Sequence, residues 1–220
     1  MIRLEKVQKA YNTKWGRRTI IQPTTLTFDR GANTAILGLN GAGKSTMIRL
    51  LAGIERPDKG YIRRDVTVSW PLGLTAGFNA NLTGAENLKF ICRLYDQDIA
   101  RVTDFVRDFS ELGAYFYEPV DSYSSGMRSR LAFGLSMAVD FQLYLIDEGL
   151  SAGDARFRKK CRDVFEARRS RSDIILTAHS RNLIREYCTR AVVMDEGRAV
   201  PFEDLDAAEE YYMEIVARNA

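Results

Sequence analysis

The chain has 220 residues, and its 32 Lys+Arg against 29 Asp+Glu leave a net charge of +3, with 45% hydrophobic and 28% charged residues. That balance excludes a disordered chain, and the length suits one large domain, or one with a sub-domain inserted. Three scattered cysteines, Cys92, Cys161 and Cys188, exclude a disulfide scaffold and a cysteine-rich zinc site.

No apolar run approaches the roughly 18 residues of a membrane span. The opening Met1-Ile2-Arg3-Leu4-Glu5-Lys6 lacks the apolar stretch of a signal peptide. A cytoplasmic protein is expected, held at a membrane only by something else. The mild charge does not point to nucleic acid, although it permits a basic face toward lipid or a partner.

In chain order, the first third reads as strands and turns. Gly31 precedes a short apolar strand, Thr34 to Leu37, which enters a glycine-rich loop and then a helix from Lys44 to Ala52, with Gly53 placed to end it. Pro57-Asp58-Lys59-Gly60 signals a turn into alternating residues between Tyr61 and Trp70. Thr83 with Glu86 forms a capping box that opens a helix through Tyr95. A second helical pattern covers Ile99 to Leu112, and an amphipathic segment runs from Leu131 to Val139.

The final third alternates again. Apolar strands at Leu143 to Ile146 and Ile174 to Thr177 are followed by helices at Ala155 to Arg169 and Leu183 to Cys188. Ala191 to Met194 and Arg198 to Val200 flank a tight Asp195-Glu196-Gly197 turn. Strands alternating with helices predict a mainly parallel α/β sheet, with the helical middle inserted into it.

Gly38-Leu39-Asn40-Gly41-Ala42-Gly43-Lys44-Ser45 fits GxxxxGK[ST] without mismatch, between a predicted strand and a predicted helix. The glycines let successive N–H groups turn toward phosphate oxygens, and the helix adds its positive end. Lys44 would reach the β- and γ-phosphates, Ser45 would ligate Mg²⁺, and Thr46 would cap the α-phosphate. A nucleotide with Mg²⁺ is the expected ligand of this loop.

Leu143-Tyr144-Leu145-Ile146-Asp147-Glu148 is an apolar strand ending in two carboxylates. Asp147 is positioned to hold Mg²⁺, directly or through its water, and Glu148 to act on an attacking water as base or orienter. His179, the only histidine, follows a strand and is expected at the carboxyl edge where parallel sheets bind ligands. There it would meet the γ-phosphate and the water.

Tyr123-Ser124-Ser125-Gly126-Met127-Arg128 makes a second small-residue loop before a helix, hence a second anion site by the same logic. One polypeptide does not easily fold both loops around one nucleotide. Here the chain resembles the nucleotide-binding subunits of ABC transporters, in which the signature of one subunit closes on ATP held by the other. YSSGM departs from the LSGGQ signature at its first, third and fifth positions and keeps Ser124 and Gly126; Ser125 stands between them.

The resemblance implies an α/β fold of the P-loop NTPase (ABC ATPase) class. It has a RecA-like core, an N-terminal antiparallel β part and an inserted α-helical subdomain at about 76–138 of a single nucleotide-binding domain, 1–220. It also implies that Tyr11 stacks on adenine, with Trp15 as the rival ring and ordinary packing as the alternative for both. Ser151-Ala152-Gly153-Asp154 looks like the D-loop, with Asp154 communicating across the dimer. No glutamine lies between Ser69 and Thr83, so the Q-loop lacks its usual residue, and Asn79 is the candidate in that stretch.

The WPLGL, GF and LTGAEN stretches, the YSSGM signature and the AGDARF segment resemble the ATP-binding component of capsular-polysaccharide exporters, over essentially the whole chain. O-antigen and teichoic-acid-type exporter ATPases are the near alternative; no C-terminal carbohydrate-binding domain is expected after Ala220. A soluble ABC ATPase of translation or DNA maintenance, an importer subunit, and a binding protein without turnover are the rivals. The resemblance further implies a homodimer on the cytoplasmic face of the inner membrane, held by integral-membrane permease subunits. Through them it would reach periplasmic and outer-membrane export components, with no nucleic acid. The basic run from Arg156 to Arg171 is read as a solvated or membrane-adjacent face, with Phe157, Cys161, Val164 and Phe165 turned inward.

Overall fold

The computed structural model describes residues 1–14, 16–72, 77–147, 155–169, 171–177 and 180–219. They divide into two compact units, Met1–Pro71 with Phe141–Glu148 and Ser172–Ala220, and Leu72–Asp140 with Gly149–Arg171.

The first unit holds both sheets. Strands β1 (Ile2–Thr13) and β2 (Gly16–Phe28) form a long antiparallel hairpin, and β4 (Lys59–Arg64) pairs with the other edge of β1. The second sheet contains β3 (Thr34–Gly38), β5 (Val68–Pro71), β6 (Leu143–Asp147), β7 (Asp173–Thr177), β8 (Arg190–Asp195) and β9 (Arg198–Phe202), in the order β5-β6-β7-β3-β8-β9. Its pairs are parallel except β8 with β9, where Glu196 and Gly197 turn the chain with φ of 46° and 81°.

All five residues of β3 are buried, as expected of a central parallel strand covered on both faces. Helix α1 (Lys44–Ala52) places Met47, Ile48, Leu50 and Leu51 in one buried cluster with Ile36, Leu145, Ile175 and Val192. Gly53 ends it in the left-handed region at φ 77°, donating its N–H to Leu50 O at 3.1 Å. Helices α6 (Arg181–Tyr187) and α7 (Leu205–Arg218) are tied by Arg181 and Arg185, which both donate to Glu209 Oε2.

The second unit is helical. The Thr83–Glu86 capping box opens α2 (Gly84–Leu94) as the sequence predicts, with both reciprocal bonds formed at 3.1 and 2.9 Å. Asp98 caps α3 (Ile99–Ser110) by accepting from Arg101 N at 2.8 Å. Phe109 on α3 stacks with Phe133 of α4 (Ser125–Ala138) at 5.8 Å and meets the edge of Phe157 of α5 (Ala155–Arg169) at 5.2 Å.

Three local expectations need correction. The alternating run Tyr61 to Trp70 is two strands in different sheets, because Asp65 N turns back to donate to Met1 O at 3.0 Å. The segment Leu131 to Ala138 is not amphipathic but buried on every side, since α4 packs against both α3 and α5. On α5, Phe157, Cys161 and Phe165 are buried as their spacing implies, but Arg168 is only partly exposed. It donates to Met137 O at 2.7 Å and pairs with Asp140, and burial pushes its guanidinium pKa down.

Candidate nucleotide-binding site

The carboxyl end of β3 delivers the loop 38–45 into α1 without a break. Gly38, at φ 148°, lies so close to β8 that a Cβ there would stand 2.6 Å from Met194 O. Gly43, at φ 107°, lets the chain pass beside Ile20 and Ile21 of β2 and enter the helix. Among the described residues no side chain caps the start of α1, and its first turn carries no acid. Its leading N–H groups and the helix dipole therefore remain available to an anion. Lys44 is buried, and its ammonium donates to the carbonyls of Gly38 at 2.8 Å and Leu39 at 3.1 Å.

Asp147 stands at the end of β6, in register with Thr177 of β7. Its Oδ1 accepts from Thr177 Oγ1 at 2.8 Å and from Ser45 Oγ at 3.4 Å. A carboxylate beside a hydroxyl is a set of hard oxygen donors. That suits Mg²⁺, which takes one or two protein oxygens and completes its shell with phosphate and water. Among the described residues no group of three His, Cys, Asp or Glu forms an all-protein metal cage.

A cavity of about 310 Å³ lies over the loop, lined by Tyr11, Arg18 and Ile20 of the hairpin and by Asn40, Gly41, Gly43, Lys44, Ser45 and Thr46. Among the described residues it presents two cations and no carboxylate, a polarity that favours a polyanion. Tyr11 and Arg18 are direct partners across β1 and β2, so their side chains project from the same face of the hairpin. Sequence reasoning missed Arg18 and Ile20. No motif marks them, and only the register of the hairpin, shifted by bulges between Leu4 and Ala10, sets Arg18 opposite Tyr11.

The second unit carries the other small-residue loop. Ser124 caps α4 by accepting from Met127 N at 3.2 Å, and Ser124 and Ser125 are exposed. Tyr123 anchors the loop: it is buried, its hydroxyl donates to Tyr115 O at 2.6 Å, and its own carbonyl accepts from Arg128. A Cβ on Gly84 would stand 2.5 Å from that hydroxyl, so the glycine makes room for the ring. This packing gives the tyrosine at the first signature position a structural use.

The ABC transporter family profile matches residues 21–151, which contain the loop, the signature and the acidic strand end. The chain belongs to the ABC transporter family. It is 50% identical over 213 residues to the capsule polysaccharide export ATP-binding protein CtrD of Neisseria meningitidis serogroup B, covering 96% of this chain and 98% of that one. It is also 50% identical over 215 residues to the ATP-binding protein BexA of Haemophilus influenzae, covering 97% and 99%. Its fold matches a dimeric ATP-binding cassette in a post-hydrolysis state bound to ADP and Pi, with a TM-score of 0.72 at 18% identity, over 90% of this chain and 96% of that one.

Within this ABC transporter chain, the structure brings Tyr11, Asn40, Gly41, Gly43, Lys44, Ser45 and Thr46 to one cavity, and sets Asp147 against Ser45. Gly38 and Ala42 belong to the same loop, where Ala42 N donates to Leu39 O at 3.1 Å. Glu148, His179 and Asp154, together with 151–153 and the rival ring Trp15, lie outside the described residues. So do 73–76 of the Q-loop stretch. Asn79 is described: its Oδ1 accepts from Asn81 N and its backbone exchanges hydrogen bonds with Asn87, which holds the turn before α2. No helix among the described residues is long and apolar enough to cross a membrane.

Proposed function

We propose that this chain is the ATP-binding and ATP-hydrolysing subunit of an ABC exporter that powers capsular-polysaccharide export. The observation that carries the reading is the cationic cavity over the 38–45 loop, in a chain half identical, nearly end to end, to a capsule export ATP-binding protein.

In this reading the N–H groups of Gly41 and of Gly43 to Thr46, with the Lys44 ammonium, hold the triphosphate, and Tyr11 stacks on the base. Ser45 and Asp147 hold Mg²⁺, which when bound neutralises phosphate charge. Thr177 orients the Asp147 carboxylate through its 2.8 Å hydrogen bond, as an outer partner of a ligand. Glu148 orients water and accepts its proton, and His179 meets the γ-phosphate.

Two copies form the working unit. The Ser124-Ser125-Gly126 loop of one copy closes on the nucleotide held by the other, with Asp154 at the junction. ATP thus satisfies two anion-binding surfaces at once, and hydrolysis lets them part. That motion drives integral-membrane permease subunits, which hold the pair at the cytoplasmic face of the inner membrane and connect it to periplasmic and outer-membrane components.

The test is genetic and direct. Cells lacking this chain should lose surface polysaccharide and recover it with the wild-type chain, but not with Lys44→Ala. Recovery with Lys44→Ala would remove ATP turnover at this loop from export.

A further inference from the structure

Beyond the phosphate loop, a chain of charged groups runs from the aromatic ring of the hairpin back to the start of α1. It begins with a helix stop. Gly53 in the left-handed region turns the chain after α1, and the N–H groups of Ile54 and Glu55 both donate to Arg49 O, at 3.1 and 3.2 Å. This turn carries Glu55 back along the helix that it has just left. Its Oε1 accepts from Arg49 Nε at 2.6 Å, and its Oε2 accepts from the Tyr11 hydroxyl. Arg49 in turn donates from Nη2 to Thr46 Oγ1 at 3.3 Å.

The same loop fixes the strand beneath the ring. Asp58 N donates to Gln8 O at 2.8 Å, while Asp58 Oδ2 accepts from Ala10 N and from Arg17, each at 2.9 Å. Lys9 reaches both acids at 3.7 Å, and its ammonium lies 5.4 Å from the centre of the Tyr11 ring. Burial opposes the charge on Glu55. The hydrogen bonds from Tyr11 and Arg49 more than offset it and hold the carboxyl below its ordinary pKa.

We propose that Glu55 is a positioning residue for base recognition, holding the Tyr11 phenol through one carboxylate oxygen and, through Arg49, the Thr46 hydroxyl of the phosphate cradle. The ring that meets the base and the hydroxyl beside the phosphates then share one rigid reference. The inference rests on the reading that Tyr11 faces the base, and it adds the device that sets where the ring stands. A charge-assisted hydrogen bond is strong and directional enough to fix a ring that otherwise turns about two torsions.

Isothermal titration of the full chain with MgATP, and separately with magnesium tripolyphosphate, which has the phosphates without the base, tests both layers. Glu55→Ala should weaken MgATP about tenfold but tripolyphosphate by about threefold at most, since the phenol loses its charged acceptor outright while Arg49 keeps its own hydrogen bond to Thr46. Tyr11→Phe should weaken MgATP alike, and the double variant should be no worse than either single one. Glu55→Gln keeps an acceptor for the phenol and should lose about threefold, which supplies the same test if the alanine variant does not fold.

Equal weakening of both ligands, no weakening of either, or full additivity with Tyr11→Phe would overturn the positioning role alone. If Tyr11→Ala leaves the preference for ATP over tripolyphosphate intact, the reading of Tyr11 itself fails, and the positioning role falls with it.

Discussion

The Lys44 ammonium lies 2.8 Å from the carbonyl oxygen of Gly38, the first residue of its own loop. A buried cation in contact with the loop that is to receive a polyanion is already partly desolvated and directed. It can exchange its contacts with the carbonyls for phosphate oxygens at small reorganisation. Lys44→Ala should therefore lower ATP hydrolysis by at least about 100-fold, the scale of losing a central electrostatic group. A steady-state phosphate-release assay checks this.

Asp147 and Ser45 meet at 3.4 Å with Thr177 behind the carboxylate. Asp147→Asn keeps the shape and removes the charge. Mg²⁺-dependent hydrolysis should fall by about 100-fold or more, while nucleotide affinity in EDTA stays within about twofold. Titration with and without Mg²⁺ separates the two effects.

Stability rests on contacts far from this chemistry. Gly60, at φ 74°, passes so close to β1 that a Cβ would stand 2.2 Å from Glu5 O and 2.4 Å from Lys6 O. Gly60→Ala should destabilise the chain by about 2–4 kcal/mol through strain and displaced backbone, measured as a shift of the urea midpoint. By contrast Gly41, at φ 82°, has open space around its Cβ position, so Gly41→Ala carries only the cost of the left-handed conformation.

The clamp between α6 and α7 gives a pH signature. The hydrogen bond from Arg185 holds the Glu209 carboxyl below its ordinary 4.5; burial opposes this, and Arg181 adds to it. A carboxyl lowered in the folded state stabilises above its unfolded value, and that stability is lost as pH falls through the folded value. Glu209→Gln should accordingly melt below wild type at pH 7. The two curves should converge in acid once Glu209 is protonated, a comparison that calorimetry at several pH values makes.

The phosphate loop was legible in the sequence because it is continuous: its glycines, Lys44 and Ser45 occupy one uninterrupted stretch whose chemistry demands a strand before and a helix after. The Thr83–Glu86 box and the Gly53 stop were legible for the same reason, being set by neighbours three or four residues away. What could not be read was long-range. Arg18 reaches the cavity only through hairpin register, and Glu55 reaches Tyr11 across 44 positions. The surroundings of Leu131 to Ala138 depend on three helices, which no single periodicity encodes.

Each nucleotide is proposed to be completed by two copies of the chain, and mixing defective copies tests this most directly. Lys44→Ala and Ser124→Arg chains should each be nearly inactive alone. Mixed in equal amounts, they should regain a substantial part of wild-type ATP hydrolysis, because the pair holds one intact loop facing one intact signature. If the mixture stays as inactive as its separate components, while wild type turns over normally, the shared site is contradicted.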